Sequence, residues 1–256
     1  MPGVIPSTAW MLALGVIGAV FVAGCGDAPA GASESAAAPL KKVDAAQVGR
    51  VTGVVRFLGT PPPPRTLRMA TGDCAAMHHD AVSVTDVQVK DGKLADAFVY
   101  VKKGLEGYAF EPPAAEVTLD QAGCMFVPRI LGVMVGQKLS MRNSDATLHN
   151  VHTFPQENDM YNRGFPDKGT VQGTSFGSPE VMIPIRCDVH GWMTGYVGVT
   201  AHPFHAVTGA DGAFAFDGLP PGDYVIEAWH ETLTTAAARI SLKAKQSAAV
   251  ELVFGK

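Results

Sequence analysis

From Val48 onward, short stretches rich in Val, Thr and Phe are cut off repeatedly by Gly, Pro, Asp or Asn, and no long amphipathic helical period intervenes. With 28 Gly and 18 Pro in 256 residues, turns are frequent enough to keep every element short, which predicts an all-β chain. No repeat with a period of roughly 20–50 residues is present, so propellers and solenoids are set aside. The hydrophobic fraction of 47% suits a globular protein of one large or two small domains. A net charge of -4, with no run of Lys or Arg longer than two, gives no footprint for nucleic acid or an anionic lipid surface.

The N-terminal stretch is different. Trp10 to Ala23 is almost unbrokenly apolar, and no charged side chain precedes Asp27. It is short for a membrane span and ends in small residues. Val22-Ala23-Gly24-Cys25 resembles the lipobox of bacterial lipoprotein signal peptides. The resemblance implies a signal peptide over 1–24, an acylated Cys25, and a periplasmic or cell-surface protein touching the membrane only through its lipid anchor. No Lys or Arg precedes the apolar core, so the leader carries only its α-amino charge. The following Ala-, Gly-, Ser- and Pro-rich residues, 25–47, are too poor in apolar side chains to offset chain entropy and are expected to be a disordered tether.

The chemistry concentrates in Cys187-Asp188-Val189-His190-Gly191-Trp192-Met193, read together with the distant His149. A thiolate, two imidazoles and a thioether are the ligand types of a trigonal electron-transfer copper site. In C-x-x-H-x-x-M one tight loop can wrap a single ion if Cys187 ends a strand and His190 and Met193 lie on the turn after it. Strands are expected at Val117–Asp120 and Ile130–Val135, then a turn and a third strand within Gly136–Asn143, leading into Asn143 to His152, a sandwich-like order.

An Asn closing a strand, then His149-Asn150-Val151-His152, then a distant C-x-x-H-x-x-M, resembles the cupredoxins, most of all the amicyanin type with its short ligand loop. The resemblance covers 115–200 and implies an eight-stranded Greek-key sandwich holding one type 1 copper. It implies His149, Cys187 and His190 as equatorial ligands and Met193 as the axial one. Asn150 would hydrogen-bond near the Cys187 sulfur and tie the two ligand segments together, and His152 is not expected to bind metal. Ile185-Arg186 precedes the cysteine where the family often has aromatic residues. The polar, Gly-rich stretch between His152 and Phe176, including Pro155 to Asp159, is not expected to belong to the shared sandwich.

Outside this region, Val48–Phe57, Val82–Val89 and Ala97–Val101 read as strands, with Lys90–Lys93 as a turn. Asp211-Gly212 reads as a hairpin turn, with Phe214 and Phe216 on one face of the strand after it. The D-G-x-F strand followed by L-P-P-G-x-Y at Leu219–Tyr224 resembles transthyretin-like or carboxypeptidase-regulatory sandwiches. This implies a second small β-sandwich from 48–112 and 201–256, interrupted by the first, with no chemistry assigned. His202, His205 and His230 are expected at a surface or interface. Cys74 and Cys124 are left as a pair, and in an exported protein a disulfide is the default. A second metal site joining Cys74 to His78 or His79 is the alternative.

Enzymatic copper chemistry would need more ligands. Multicopper oxidases use His residues flanking the Cys and paired H-x-H motifs, whereas Arg186 and Asp188 flank Cys187 here. A binuclear purple site would need a second Cys in the loop. The expected function is therefore single-electron transfer without substrate turnover, between redox proteins such as a dehydrogenase or a cytochrome c. Electrons would leave through the His190 edge, with Trp192 and Gly191 as an apolar docking surface. A copper carrier or sensor, and a purely structural β-sandwich lipoprotein, are the competing expectations.

Overall fold

The computed structural model describes residues 40–255; the leader, Cys25 and most of the tether lie outside the described residues. Residues 40–47, expected as tether, already belong to the fold. The Lys41 amide donates to the Gly107 carbonyl at 2.8 Å, and the Lys41 carbonyl accepts from Ala109 at 3.0 Å. Backbone pairing of this kind uses no side chain, so composition could not reveal it. The chain is nearly all β, and its one helix among the described residues is the single turn Gly72–Ala76. Among the described residues no helix is long and apolar enough to cross a membrane.

Four sheets pack as two sandwiches. In the first, Gly49–Phe57 pairs antiparallel with Ala213–Leu219 and parallel with Ser247–Phe254, and short strands at Lys93–Leu94 and Val89–Lys90 extend the sheet. The opposing sheet runs, in order, His205–Val207, Phe98–Lys103, Gly222–His230 and Thr234–Leu242. Val51, Val55, Phe214 and Phe216 meet Val99, Val101, Ile226 and Ala228 in its core. Strands from both ends of the described chain therefore close one sandwich around the other.

The second sandwich has a four-stranded sheet in the order Val171–Thr174, Leu139–Asn143, Val117–Ala122, Met125–Val127. Its five-stranded partner runs Asn162–Phe165, His149–Thr153, Glu180–Arg186, Thr194–Thr200, Ile130–Met134. The resemblance implied eight strands. The difference lies in the stretch after His152, which is part of the sandwich after all. It supplies edge strands to both sheets, Asn162–Phe165 against 149–152 and Val171–Thr174 against 139–142, because backbone pairing does not require apolar side chains at an exposed edge.

Period-two alternation explains the join between the sandwiches. Phe98 and Tyr100 face one way and Val99 and Val101 the other, so the strand feeds its own core with one face and the neighbouring sandwich with the other. Across the join, Ile130 and Tyr196 meet that face while Leu131 and Val197 point into the second core. Gly132 and Gly198 are register partners here. A Cβ on Gly198 would stand 2.4 Å from the Phe98 ring, and one on Gly132 2.4 Å from the His205 imidazole. Arg129 and Glu231 add a two-pronged ion pair at the same join.

Three local expectations need correction. Val82–Val89 is two short strands, since Val84 pairs with Arg65 and Val89 with Leu94; Asp86 between them turns its carboxylate to Arg65 at 2.9–3.2 Å. The turn at Asp211-Gly212 joins no hairpin: the strand before it pairs with Phe98–Lys103 and the strand after it with Gly49–Phe57, so the chain changes sheets there. His202 and His230 are not surface residues but are buried at 9% and 1% exposure. His202 is held by a bond to the Val101 carbonyl at 2.8 Å, and His205 stacks on Phe98 at the join.

Candidate metal centre

His149 opens its strand, and the loop before it is built by polar side chains. Asn143 is fully buried and donates through Nδ2 to the Thr147 and Phe165 carbonyls, both at 2.9 Å, while its Oδ1 accepts from the Asp145 amide at 2.9 Å. Asp145 is thereby aimed inward. Its Oδ1 accepts from the Gly123 amide at 2.8 Å, and its Oδ2 from the Cys124 amide at 2.8 Å and from His149 Nε2 at 2.9 Å. A carboxylate can only accept, so the His149 proton sits on Nε2 and Nδ1 keeps a lone pair.

Cys187 follows the last residue of Glu180–Arg186, and the loop after it closes on itself. The Met193 amide donates to the His190 carbonyl at 2.8 Å and the Cys187 amide to the Met193 carbonyl at 3.1 Å. Asn150 accepts from the Asp188 amide at 2.6 Å and donates to the Asp188 carboxylate at 2.9 Å. It ties the two ligand segments together through the residue after Cys187.

The result is a buried convergence. His149 Nδ1 lies 2.9 Å from His190 Nδ1, which lies 3.8 Å from Cys187 Sγ, and the three donor atoms are all within 4.8 Å of one another. His149, His190 and Cys187 are 0%, 1% and 2% exposed, and Met193 is fully buried in the same core cluster as Cys187. Burial first, and the neighbouring His149 second, hold the His190 imidazole below its ordinary range, so it is neutral near pH 7. These donors fit copper: two imidazole nitrogens and a thiolate are a soft, three-atom set closed off from water.

Cys74 and Cys124 are joined by a disulfide spanning 50 residues of sequence, so Cys74 is not a ligand beside His78 or His79. His78 instead bonds the Gly123 carbonyl at 2.9 Å. The disulfide pins the excursion Arg65–Val84, expected with the first sandwich, onto the second, where Cys74 and Met69 join the core. Its sulfurs lie within 4.8 Å of a His190 ring nitrogen. Trp192 is half-buried, donates from Nε1 to the Cys124 carbonyl at 3.1 Å, and sets its ring 5.1 Å from His190. The His190 edge through which electrons were expected to leave is therefore covered, with Trp192 packed against the ring. The sequence marks Asn143 only as the residue closing a strand and Asp188 only as a neighbour of Cys187, and it does not mark Asp145, for which a carboxylate four residues before His149 is the available signal.

No family model matches the chain, and no curated protein does either. Solved structures do. A Cu-containing nitrite reductase from Thermus scotoductus SA-01 is 22% identical over 37% of this chain and 24% of its own length, with a TM-score of 0.32. A purple cupredoxin from Nitrosopumilus maritimus is 20% identical over 33% of this chain and 99% of its own, with a TM-score of 0.29. A point mutant of amicyanin in its oxidized state is 24% identical over 35% of this chain and 86% of its own, with a TM-score of 0.30. The chain thus spans about a quarter of the nitrite reductase it matches.

Proposed function

We propose that this protein holds one type 1 copper ion and carries single electrons. The observation behind this reading is the buried convergence of His149 Nδ1, His190 Nδ1 and Cys187 Sγ within 4.8 Å. When bound, copper supplies one-electron Cu(I)/Cu(II) chemistry. The protein's own part is to hold its donors still. Asp145 fixes the His149 tautomer, Asn150 locks the cysteine segment to the histidine strand, and the sandwich core keeps water out, so little rearranges when charge changes. Met193, buried in the same core cluster as Cys187, would add a thioether that tunes the potential.

The exit route runs through Trp192, with exposed Val189 and Gly191 beside it. Partners of the dehydrogenase or cytochrome c type would dock there transiently. On this reading the chain works in the cell envelope, tethered by a lipid on Cys25, and the first sandwich, of transthyretin-like or carboxypeptidase-regulatory type, serves as a scaffold. Cupric ion added to the purified protein should give an intense blue absorption at one equivalent. Cys187→Ser should abolish it, and Trp192→Glu should keep it while slowing reduction by a cytochrome c. Stoichiometric but colourless binding would favour the carrier reading and defeat this one.

A further inference from the structure

Beside the buried centre, a second pair of donors faces outward. His152 Nδ1 lies 3.1 Å from both oxygens of Asp188. Asp188 is itself fixed by Asn150 at 2.9 Å and by Asn162 at 3.2 Å. A carboxylate held by two amide donors is an acceptor for the ring, so the His152 proton belongs on Nδ1. The lone pair is then on Nε2, and 3.2 Å from it sits the Met160 sulfur.

A thioether has lone pairs and no proton to give. Two electron-rich atoms therefore point at each other, an arrangement that something positive must stabilise. Met160 is 65% exposed, with little packing of its own to hold it there. The loop carrying it is nevertheless organised: Glu180 accepts from the amides of Gln156 at 2.7 Å and Glu157 at 3.0 Å and from the Asn158 side chain at 3.0 Å. On the other side Phe154 packs against the His152 ring at 4.2 Å.

We propose that His152 and Met160 form a second, solvent-facing metal site that takes Cu(I). An imidazole nitrogen with a thioether sulfur is a soft pair suited to Cu(I) over hard divalent ions. The 3.2 Å separation brings the two donor atoms within reach of one ion, with its remaining positions open to solvent or to a donor's ligand. Two protein ligands with open access make a site of exchange rather than storage. It captures Cu(I) from a soluble donor complex by ligand exchange, with no change of oxidation state. This site is additional to the buried one and does not depend on it.

The test is anaerobic titration of the full chain with Cu(I) against a chromophoric competitor. Met160→Leu conserves volume at an exposed position, so the fold should survive. The wild type is expected to take up two equivalents and Met160→Leu one, with the blue absorption of the cupric form unchanged. If the buried centre binds nothing, the counts become one and zero, and this proposal still stands. Equal stoichiometry in wild type and variant overturns it, and would mean that the contact is only an Nε2–H···S hydrogen bond from a protonated ring.

Discussion

Asp145 illustrates how much one carboxylate can decide. Its two oxygens take three N–H donors, from Gly123, Cys124 and His149, and it is 7% exposed. Asp145→Asn keeps the shape but puts an NH2 group against at least one of those donors, leaving a buried clash of like partners. We expect copper affinity to fall about 10- to 100-fold, as for other lost supports of metal-bound histidines, and folding stability to fall by about 1–3 kcal/mol. Competitive titration and urea unfolding read the two effects separately; unchanged affinity would show that His149 needs no orienting partner. The convergence of His149, Cys187 and His190 was legible in the sequence because C-x-x-H-x-x-M is a local pattern of distinctive side chains. Asp145 was not, since an Asp four residues before a His is common on any surface and acquires meaning only when Asn143 turns it inward.

Among the elements, the excursion Arg65–Val84 is the least self-sufficient. Its two strands are two residues each and its helix a single turn, so local pairing contributes little and the Cys74–Cys124 bond must hold it to the second sandwich. Closing a loop of 50 residues removes about 4 kcal/mol of chain entropy from the unfolded state. The double variant Cys74→Ala, Cys124→Ala should lose about 2–4 kcal/mol, seen as a lower urea midpoint, and should alter the copper spectrum because the sulfurs abut His190. An unaltered spectrum would mean that the excursion shields nothing. The strand pattern was readable where aromatic and β-branched side chains run together, as at Phe98–Val101. It failed at Val82–Val89 and after His152, where strands change partner or lie at an edge, and the pairing there is made by backbone atoms that every residue carries.

Across the whole molecule, burial of neutral imidazoles ties stability to pH. His202, His205 and His230 are held below their ordinary range first by burial, and His190 likewise, with His149 adding to it. Unfolded histidines titrate near about 6.5. Below that value the unfolded chain binds protons that the folded chain refuses, so stability is complete above about pH 6.5 and drains away as pH falls toward the depressed folded values. Asp96 runs the other way, because burial raises its carboxyl, but it is one group against four. In Glu180 burial pushes upward and the hydrogen bonds from 156–158 together outweigh it, while His152 first of all holds Asp188 down. Both matter only at lower pH, beneath the unfolded carboxylate range of about 3.9–4.3. Metal-free protein unfolded in urea at about pH 7.5 and about pH 5.5 should therefore show a lower midpoint at the acid value with the same slope. Copper should widen that gap, because a bound ion and a proton compete for His149 and His190. A flat profile without metal would mean that the unfolded chain keeps these imidazoles as sheltered as the native sandwiches do, and that the join at Phe98 and His205 persists after the rest has opened.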